Sequence, residues 1–338
     1  MTALTRCLDT LIAEQTVRNI IVRAGRGDEI LCDMYKTSQD RTLTDHTLFD
    51  MASVTKIVVT TSLALIALDR GLFSVSDPVS RFFPVPEDKQ DLTVFHLLTH
   101  TMGIGHKNLT AAADVAAIEK HILSIPSDIP IGSDTRYSCP GFILLGRILE
   151  KLFAQRLDEA FTAHVAEPLG IVSSGFHPDR NLDIVNANKT PEECGLVNDY
   201  NCRFLGGIAG NAGLFSNLAD MTRYAAMLRS GGSPLISRET FSLACENHTP
   251  GMNDSRGLGY LFVDERYTQT GGLFPTGSIG HCGHTGQSVF VDRHSGLYVI
   301  ILSDATASVT LKYGREKYAE VMQMRHDIHA AIKDDLNL

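Results

Sequence analysis

The sequence lacks the patterns that mark several large classes of protein. Its 338 residues carry a net charge of −9 and contain no concentrated stripe of lysine or arginine, so nucleic acid is not an expected partner. No apolar run approaches the length of a membrane-spanning helix, and residues 1–19 have neither the basic start nor the continuous apolar core of a secretion signal. We therefore expect a cytoplasmic protein without a membrane span.

Cysteine pairs at metal-binding or redox spacing are also missing. The seven cysteines are scattered, odd in number and never arranged as C-x-x-C; they are Cys7, Cys32, Cys139, Cys194, Cys202, Cys245 and Cys282. This distribution argues against a disulfide framework and a structural zinc site, and it is typical of reduced thiols. His96 and His100 have the spacing of two zinc ligands on a helix, but Leu97 stands where a zinc protease has its glutamate, so a structural role is favoured.

Two common enzyme motifs are absent as well. No G-x-S-x-G occurs, which argues against an α/β-hydrolase. The glycine-rich segment 206–213 has neither the lysine of a phosphate-binding loop nor G-x-G-x-x-G spacing, so nucleotide binding is disfavoured. No metal and no organic cofactor is expected.

What is present indicates a soluble globular protein, with 43% hydrophobic and 20% charged residues. Helices are predicted over residues 4–12, 53–69, 93–99, 111–123, 141–153, 157–167, 218–229, 237–245 and 313–332, and strands over 18–23, 30–35, 258–263, 287–292 and 297–302. Strands at both ends with helices between them predict an α+β fold whose antiparallel sheet is assembled from distant segments. We expect a discontinuous sheet domain over 1–72 and 247–338 and an inserted helical domain over 73–246.

The first chemical motif is Ser53-Val54-Thr55-Lys56, at the start of a long apolar run. A serine and a lysine three positions apart lie on one helix face, about 5–6 Å apart at their Cβ atoms. Burial among apolar neighbours would lower the pKa of the lysine and let it accept a proton from the serine hydroxyl. Backbone N–H groups in the first helical turn could hold negative charge on an attacked carbonyl oxygen. The alternative is a solvated lysine beside a helix-capping serine.

Two further polar groups stand at the ends of predicted elements. Tyr137-Ser138-Cys139 precedes a helix, and His284-Thr285-Gly286 precedes a strand. Such positions let a rigid scaffold aim a side chain outward. The alternative for Tyr137 is a packed ring with a solvated hydroxyl.

This ordered triple resembles the penicillin-recognising serine enzymes, which include β-lactamases, D-alanyl-D-alanine peptidases and related esterases. The class C-type branch, in which Tyr-x-Asn is the second motif, is the most similar. The segments 49–56, 96–103 and 206–216 match the order of that family, so the resemblance covers most of the chain. It implies a β-lactamase/transpeptidase-like α+β fold with the active site in the cleft between the two domains.

The resemblance also implies roles for individual residues. Ser53 would be the acylated nucleophile, Lys56 its proton acceptor or the group that tunes Tyr137, and Tyr137 the proton shuttle to the leaving group. A phenol beside a cationic lysine would have its pKa pulled down. The backbone N–H groups of Ser53 and Gln287 would form the oxyanion hole. Residues expected at the substrate are His284, Thr285, Gly286, Cys139 and, in the pocket wall, Asn211.

Two departures from the family pattern restrict the substrate. His284 stands where many members have lysine, so a substrate carboxylate would be bound less firmly. Cys139 replaces the asparagine of Tyr-x-Asn and removes an amide that would bind substrate and lysine. The second departure weakens a β-lactamase assignment specifically, and some peptidases of the family also carry His-Thr-Gly.

We expect a serine hydrolase that cleaves an ester or amide bond of a small-molecule or peptide-like substrate through an acyl-enzyme on Ser53. One alternative is a D-amino-acid-specific peptidase or weak β-lactamase. Another is a catalytically idle relative that binds a ligand, which the altered position Cys139 would explain.

Overall fold

The computed structural model describes residues 1–111 and 114–338, and its centre is one antiparallel sheet. Its six strands are β1 Asn19–Arg26, β2 Glu29–Thr37, β5 Leu261–Phe262, β6 Ile279–Cys282, β7 Ser288–Val291 and β8 Leu297–Ser303, and a separate pair joins β3 Phe49–Asp50 to β4 Phe215–Ser216. The six strands lie in the order β2-β1-β8-β7-β6-β5, and every neighbouring pair is antiparallel. The predicted α+β fold with a sheet built from both ends of the chain is confirmed.

Alternation along β1 places the sheet between two hydrophobic layers. Ile20 and Val22 face a layer that contains α1, Ala3–Ala13, and α12, Tyr318–Leu336. Ile21 faces the opposite layer, formed by the helices from the middle of the chain. Successive side chains of a strand point to opposite faces, so a fully buried strand needs apolar residues at every position.

The remaining helices lie between the two groups of strands or follow β8. They are α2 Ser62–Asp69, α3 Val94–Leu98, α4 Ile118–Ser124, α5 Cys139–Phe153, α6 Leu157–Phe161, α7 Glu167–Leu169, α8 Tyr200–Phe204, α9 Leu218–Arg229, α10 Arg238–Ala244 and α11 Ala305–Tyr313. A short 3-10 turn at Ala52–Val54 and a π-helical segment at Lys56–Thr61 lead into α2.

The helical segment Ala52–Asp69 corrects one expectation. It has 18 residues and a mean hydropathy of 1.5, which is long and apolar enough to cross a membrane, although no such run was expected. Because 89% of the segment is buried inside the protein, it serves as the central helix of the core.

Several element boundaries differ from those predicted. Strand β6 was not predicted because its four residues include Gly280, where a side chain would collide with Phe290. The closing helix is two helices, since Gly314 ends α11 in a left-handed conformation at φ 69°. The helix expected over 111–123 includes residues 112–113, which lie outside the described residues, and α4 begins only at Ile118. The domain boundaries stay a prediction.

Candidate active site

The three predicted motifs meet at one cavity of about 1160 Å³. Its wall includes Ser53 from the first motif, Tyr137 and Cys139 from the second, and His284 from the third. This volume is at or above the upper end of the roughly 300–1000 Å³ found for small-molecule sites. Segments far apart in sequence are therefore brought to one place that can hold a substrate.

Ser53, Lys56 and Tyr137 are in direct contact. Lys56 Nζ donates to Ser53 Oγ at 3.0 Å, and the Tyr137 hydroxyl donates to the same oxygen at 2.7 Å. The π-helical segment that begins at Lys56 and the N-terminus of α5, two residues after Tyr137, aim these groups at one point. The predicted convergence of a hydroxyl, an amine and a phenol is present in the structure.

The turn that carries the nucleophile is strained and firmly held. Ala52 has a positive φ of 44°, which is unfavourable for a residue with a side chain. The fully buried Asp50 carboxylate accepts from the Ala52 N–H at 2.8 Å and from the Asn198 N–H at 2.6 Å. Burial raises the pKa of Asp50 to about 6, although these two hydrogen bonds act to lower it. Asp50 therefore fixes the nucleophile turn to the segment around Asn198 in the cavity wall.

Lys56 is completely buried, yet its amine is fully surrounded by polar groups. Besides Ser53, Nζ donates to the Asn211 backbone oxygen at 2.9 Å and contacts Cys139 Sγ at 3.5 Å. Burial lowers the pKa of Lys56, whereas the ionised forms of Cys139 and Tyr137 would raise it, and the Ser53 hydroxyl and the Asn211 carbonyl accept from the ammonium; the net direction is upward. The expectation of a lysine with a lowered pKa is therefore wrong, because its neighbours stabilise the charged ammonium.

The pKa expected for Tyr137 is also corrected. Burial raises the pKa of this phenol to about 12, and the lowering effect of the Lys56 charge does not offset burial. Burial likewise raises the pKa of the Cys139 thiol. At neutral pH the resting site thus holds an ammonium, a neutral phenol and a neutral thiol.

The third motif divides into an exposed and a buried part. The His284 ring is 41% exposed, stacks on Tyr318 with centroids 5.3 Å apart, and has Nε2 3.4 Å from the Glu316 carboxylate. Thr285, predicted at the substrate edge, is instead fully buried, and its hydroxyl donates to the Asp50 backbone oxygen at 2.8 Å. Gly286 has a φ of 124°, and an added Cβ would lie 2.2 Å from Ser303 Oγ.

Gln287 joins this strand end to the nucleophile turn. Its amide donates to the Asp50 backbone oxygen at 2.8 Å, while its Oε1 accepts from the Ser303 N–H at 2.7 Å. The Gln287 side chain thus keeps its own backbone close to the residues that precede Ser53. The oxyanion hole formed by Ser53 and Gln287 stays a prediction.

Asn211 acts on the site mainly through its backbone. Its carbonyl accepts from Lys56, and its side-chain amide donates to Asp199 Oδ1 at 3.1 Å. Asn211 Oδ1 is buried without a hydrogen-bond partner.

Sequence reasoning missed several residues that shape the site. Asp50 and Arg256 are the main ones, and the buried Arg325, whose guanidinium donates to the Gly283 backbone oxygen, is a third. None of them belongs to one of the three motifs: Asp50 ends β3, Arg256 lies between α10 and β5, and Arg325 lies in α12. The only available signal was the position of Asp50 three residues before Ser53.

The two histidines with metal-like spacing have separate structural tasks. His96 Nδ1 accepts from the Thr93 N–H at 3.1 Å and so closes the start of α3. His100 Nδ1 accepts from the Ser138 N–H at 3.0 Å, and its ring packs on Tyr137 with centroids 4.8 Å apart. The structural role favoured for the two histidines thus consists of capping α3 and of supporting the segment around Tyr137 and Ser138.

Comparisons with known proteins agree with this geometry. The family model described as beta-lactamase matches residues 4–323. Esterase EstB of Burkholderia gladioli is 28% identical, with 88% of each chain covered. A protein of Escherichia coli strain K12 named "Putative D-alanyl-D-alanine carboxypeptidase" is 26% identical over 77% of this chain and 70% of its own.

The fold is also found among solved structures. EstCE1, described as a hydrolase with promiscuous acyltransferase activity, superposes with a TM-score of 0.77 at 20% identity, and 97% of each chain is covered. This similarity concerns the fold alone, whereas the family model spans nearly the whole sequence. The chain therefore belongs to the beta-lactamase family.

Proposed function

We propose that this protein is a serine hydrolase that cleaves ester bonds through a covalent acyl-enzyme on Ser53. The observation that carries the proposal is the contact of Ser53 Oγ with both Lys56 and Tyr137 at the wall of a large cavity. A hydroxyl held between a cation and a phenol can be deprotonated and then stabilised as it attacks a carbonyl.

The order of proton transfers follows from the charges of the resting site. Tyr137 must first lose its proton to water in the cavity, and the Lys56 ammonium favours the resulting phenolate. The phenolate takes the Ser53 proton as Oγ bonds to the ester carbonyl carbon, and backbone N–H groups of Ser53 and Gln287 stabilise the oxyanion. Tyr137 then gives its proton to the departing alkoxide, and water attacks the acyl group by the reverse sequence.

An ester is favoured over a β-lactam or peptide by the two departures in the motifs. The Glu316 carboxylate lies 3.4 Å from His284 Nε2, so it would compete with a substrate carboxylate for this ring. Cys139 supplies no amide to a substrate amide. EstB is named an esterase, which supports this choice, whereas the name of the Escherichia coli relative supports the D-amino-acid peptidase as the second candidate.

The test is labelling and turnover by the purified protein. We expect a fluorophosphonate to add one adduct, seen by intact mass, and p-nitrophenyl esters to be hydrolysed faster than D-alanyl peptides or a chromogenic cephalosporin. Ser53→Ala should lose both the adduct and turnover, because the nucleophile is removed. Ser80→Ala, at an exposed serine outside the cavity, is the matched control and should retain both.

Other outcomes would lead to different conclusions. Turnover of the cephalosporin alone would replace the esterase proposal by a β-lactamase. Absence of any adduct on the wild type would favour the idle ligand-binding relative.

A further inference from the structure

Tyr137 faces two cations, only one of which belongs to a predicted motif. Lys56 Nζ lies 4.9 Å from the centroid of its ring, and the Arg256 guanidinium carbon lies 5.8 Å from the same centroid. Arg256 is 5% exposed and borders the cavity. The third-motif position that carries lysine in many relatives is His284, which turns toward Glu316 and Tyr318.

The hydrogen bonding of Arg256 is incomplete. Its Nη2 donates to Asp254 Oδ2 at 3.1 Å, while Nε and Nη1 are buried and have no hydrogen-bond partner among the described residues. The Asp254 side chain is 52% exposed, so solvent screens its charge and it neutralises the guanidinium only partly. A buried, under-neutralised cation is unfavourable for folding, and its persistence beside a reacting phenol calls for a functional reason.

The chain holds Arg256 and Tyr137 in a fixed relation. The Asn253 N–H donates to Asp134 Oδ1 at 2.8 Å, and the Asp254 N–H donates to Thr135 Oγ1 at 2.8 Å. These bonds join the segment just before Arg256 to the segment just before Tyr137. These two hydrogen bonds therefore fix the backbone that carries Arg256 relative to the backbone that carries Tyr137.

The other titratable groups around the Tyr137 ring carry no positive charge at neutral pH. His100 and His281 have ring centroids 4.8 and 6.1 Å from that of Tyr137. Burial lowers the pKa of both histidines well below the usual value, and the nearby cations lower it further. Burial raises the pKa of Cys139, which therefore remains a thiol. Lys56 and Arg256 are the cations that the described contacts place against the ring.

We propose that Arg256 is a positioning residue for the hydrolysis, whose guanidinium stabilises the phenolate form of Tyr137. The inference rests on the proposed function, since it requires Tyr137 to act as the base. A cation over an aromatic ring is attracted more strongly when the ring itself becomes an anion. Arg256 accordingly acts on the reaction through Tyr137 and not by contact with the substrate.

The first test compares two substitutions at Arg256. Arg256→Met should lower kcat for a neutral p-nitrophenyl ester by about 30-fold with little change in KM, and Arg256→Lys should recover most of that loss. Arg238→Met is the matched control, because Arg238 is exposed and lies outside the cavity. It should leave kcat unchanged.

The second test separates an effect on Tyr137 from mere misfolding. Fluorinated tyrosine, incorporated at position 137 by codon suppression, has a more acidic phenol. The 19F resonance of this residue reports its ionisation directly. If Arg256 acts by favouring the phenolate, the acid dissociation constant of this phenol should be about 30-fold smaller in Arg256→Met than in the wild type, in line with the loss of kcat. Equal dissociation constants in the two proteins would overturn the proposal.

Two further outcomes distinguish this proposal from others. A rise in KM confined to carboxylate-bearing esters, with kcat unchanged, would overturn it and make Arg256 a substrate-binding residue. A wild type that takes no fluorophosphonate adduct would refute the proposed function, and the role of Arg256 with it. An adduct on the wild type, together with the same dissociation constant for the fluorinated tyrosine in wild type and Arg256→Met, would refute the role of Arg256 alone.

Discussion

At the scale of single residues, the charge states of Lys56 and Tyr137 determine how the reaction begins. The Lys56 ammonium is stabilised by its neighbours, and the phenol is neutral because its pKa is raised to about 12. In the proposed mechanism the base is therefore created only when Tyr137 loses a proton. Lys56 would supply charge to this step and would not itself be the resting proton acceptor.

This order predicts the pH dependence of ester hydrolysis. The reactive phenolate is a minor form below the Tyr137 pKa of about 12, and its fraction grows about tenfold per pH unit. We expect kcat/KM to rise steadily from pH 6 to pH 9, measured with a p-nitrophenyl ester and corrected for spontaneous hydrolysis. A bell-shaped profile with its maximum near pH 7 would contradict the assignment.

Removing the phenolic hydroxyl tests the same group directly. Tyr137→Phe should keep the ring packing on His100 but lower kcat by about 10²–10⁴-fold, as for the loss of a general base. The slope of the pH profile should disappear in this variant. Tyr313→Phe, a partly exposed tyrosine outside the cavity, is the control and should leave both quantities unchanged.

At the scale of elements, a close contact at Gly210 places α5 against the segment 210–211, whose Asn211 carbonyl accepts a hydrogen bond from Lys56. A Cβ at Gly210 would lie 2.1 Å from the Phe142 backbone oxygen of α5 and 3.1 Å from the backbone of Gly146 in the same helix. The adjacent Asn211 carbonyl accepts from Lys56. The close approach of the two backbones is thus what brings Tyr137 and Lys56 to the same serine.

The contact predicts a large effect from a single methyl group. Gly210→Ala should lower the free energy of unfolding by about 1–3 kcal/mol, because the obstructing atom is backbone and cannot move aside. Activity should fall as well, since Asn211 would shift away from Lys56. Urea unfolding followed by circular dichroism measures the first effect.

Gly175→Ala provides the comparison, because an added Cβ there meets nothing within 4 Å. It should change the free energy of unfolding by no more than about 0.5 kcal/mol. Equal stability of the two variants would show that the α5 contact is looser than described.

At the scale of the whole molecule, a buried histidine makes stability depend on pH. His329 of α12 is fully buried, with Nδ1 2.7 Å from the Arg325 backbone oxygen. Burial lowers its pKa to about 4 from the ordinary 6.5. Between these two pH values the unfolded chain binds a proton that the folded protein does not, so stability falls as pH falls through this window.

The expected loss attributable to His329 is about 2 kcal/mol of unfolding free energy between pH 7 and pH 5. His329→Gln should remove that part of the loss, because glutamine does not ionise. Urea titrations at the two pH values measure the difference, with the exposed His46→Gln as a control that keeps the wild-type dependence. An identical pH dependence in wild type and His329→Gln would contradict the assignment.

The parts of the fold and site that could be predicted from sequence are those encoded locally. Periodicity located α9, and the spacing of Ser53 and Lys56 predicted their contact. The pKa directions of Lys56 and Tyr137 could not be predicted, because they depend on Cys139 and on complete burial by distant segments. Arg256 was missed for the same reason, because its proposed role depends on its contact with the distant Tyr137.

The pairing of β1 with β8 has a consequence for how the protein is made. While the chain emerges from the ribosome, β1 has only β2 as a neighbour, and its other edge stays open until β8 has been translated. The nascent chain consequently carries an unpaired apolar strand throughout the synthesis of the helices between them. The active site is complete only after the last strands have formed, so a stalled or prematurely terminated product would be prone to aggregation and inactive.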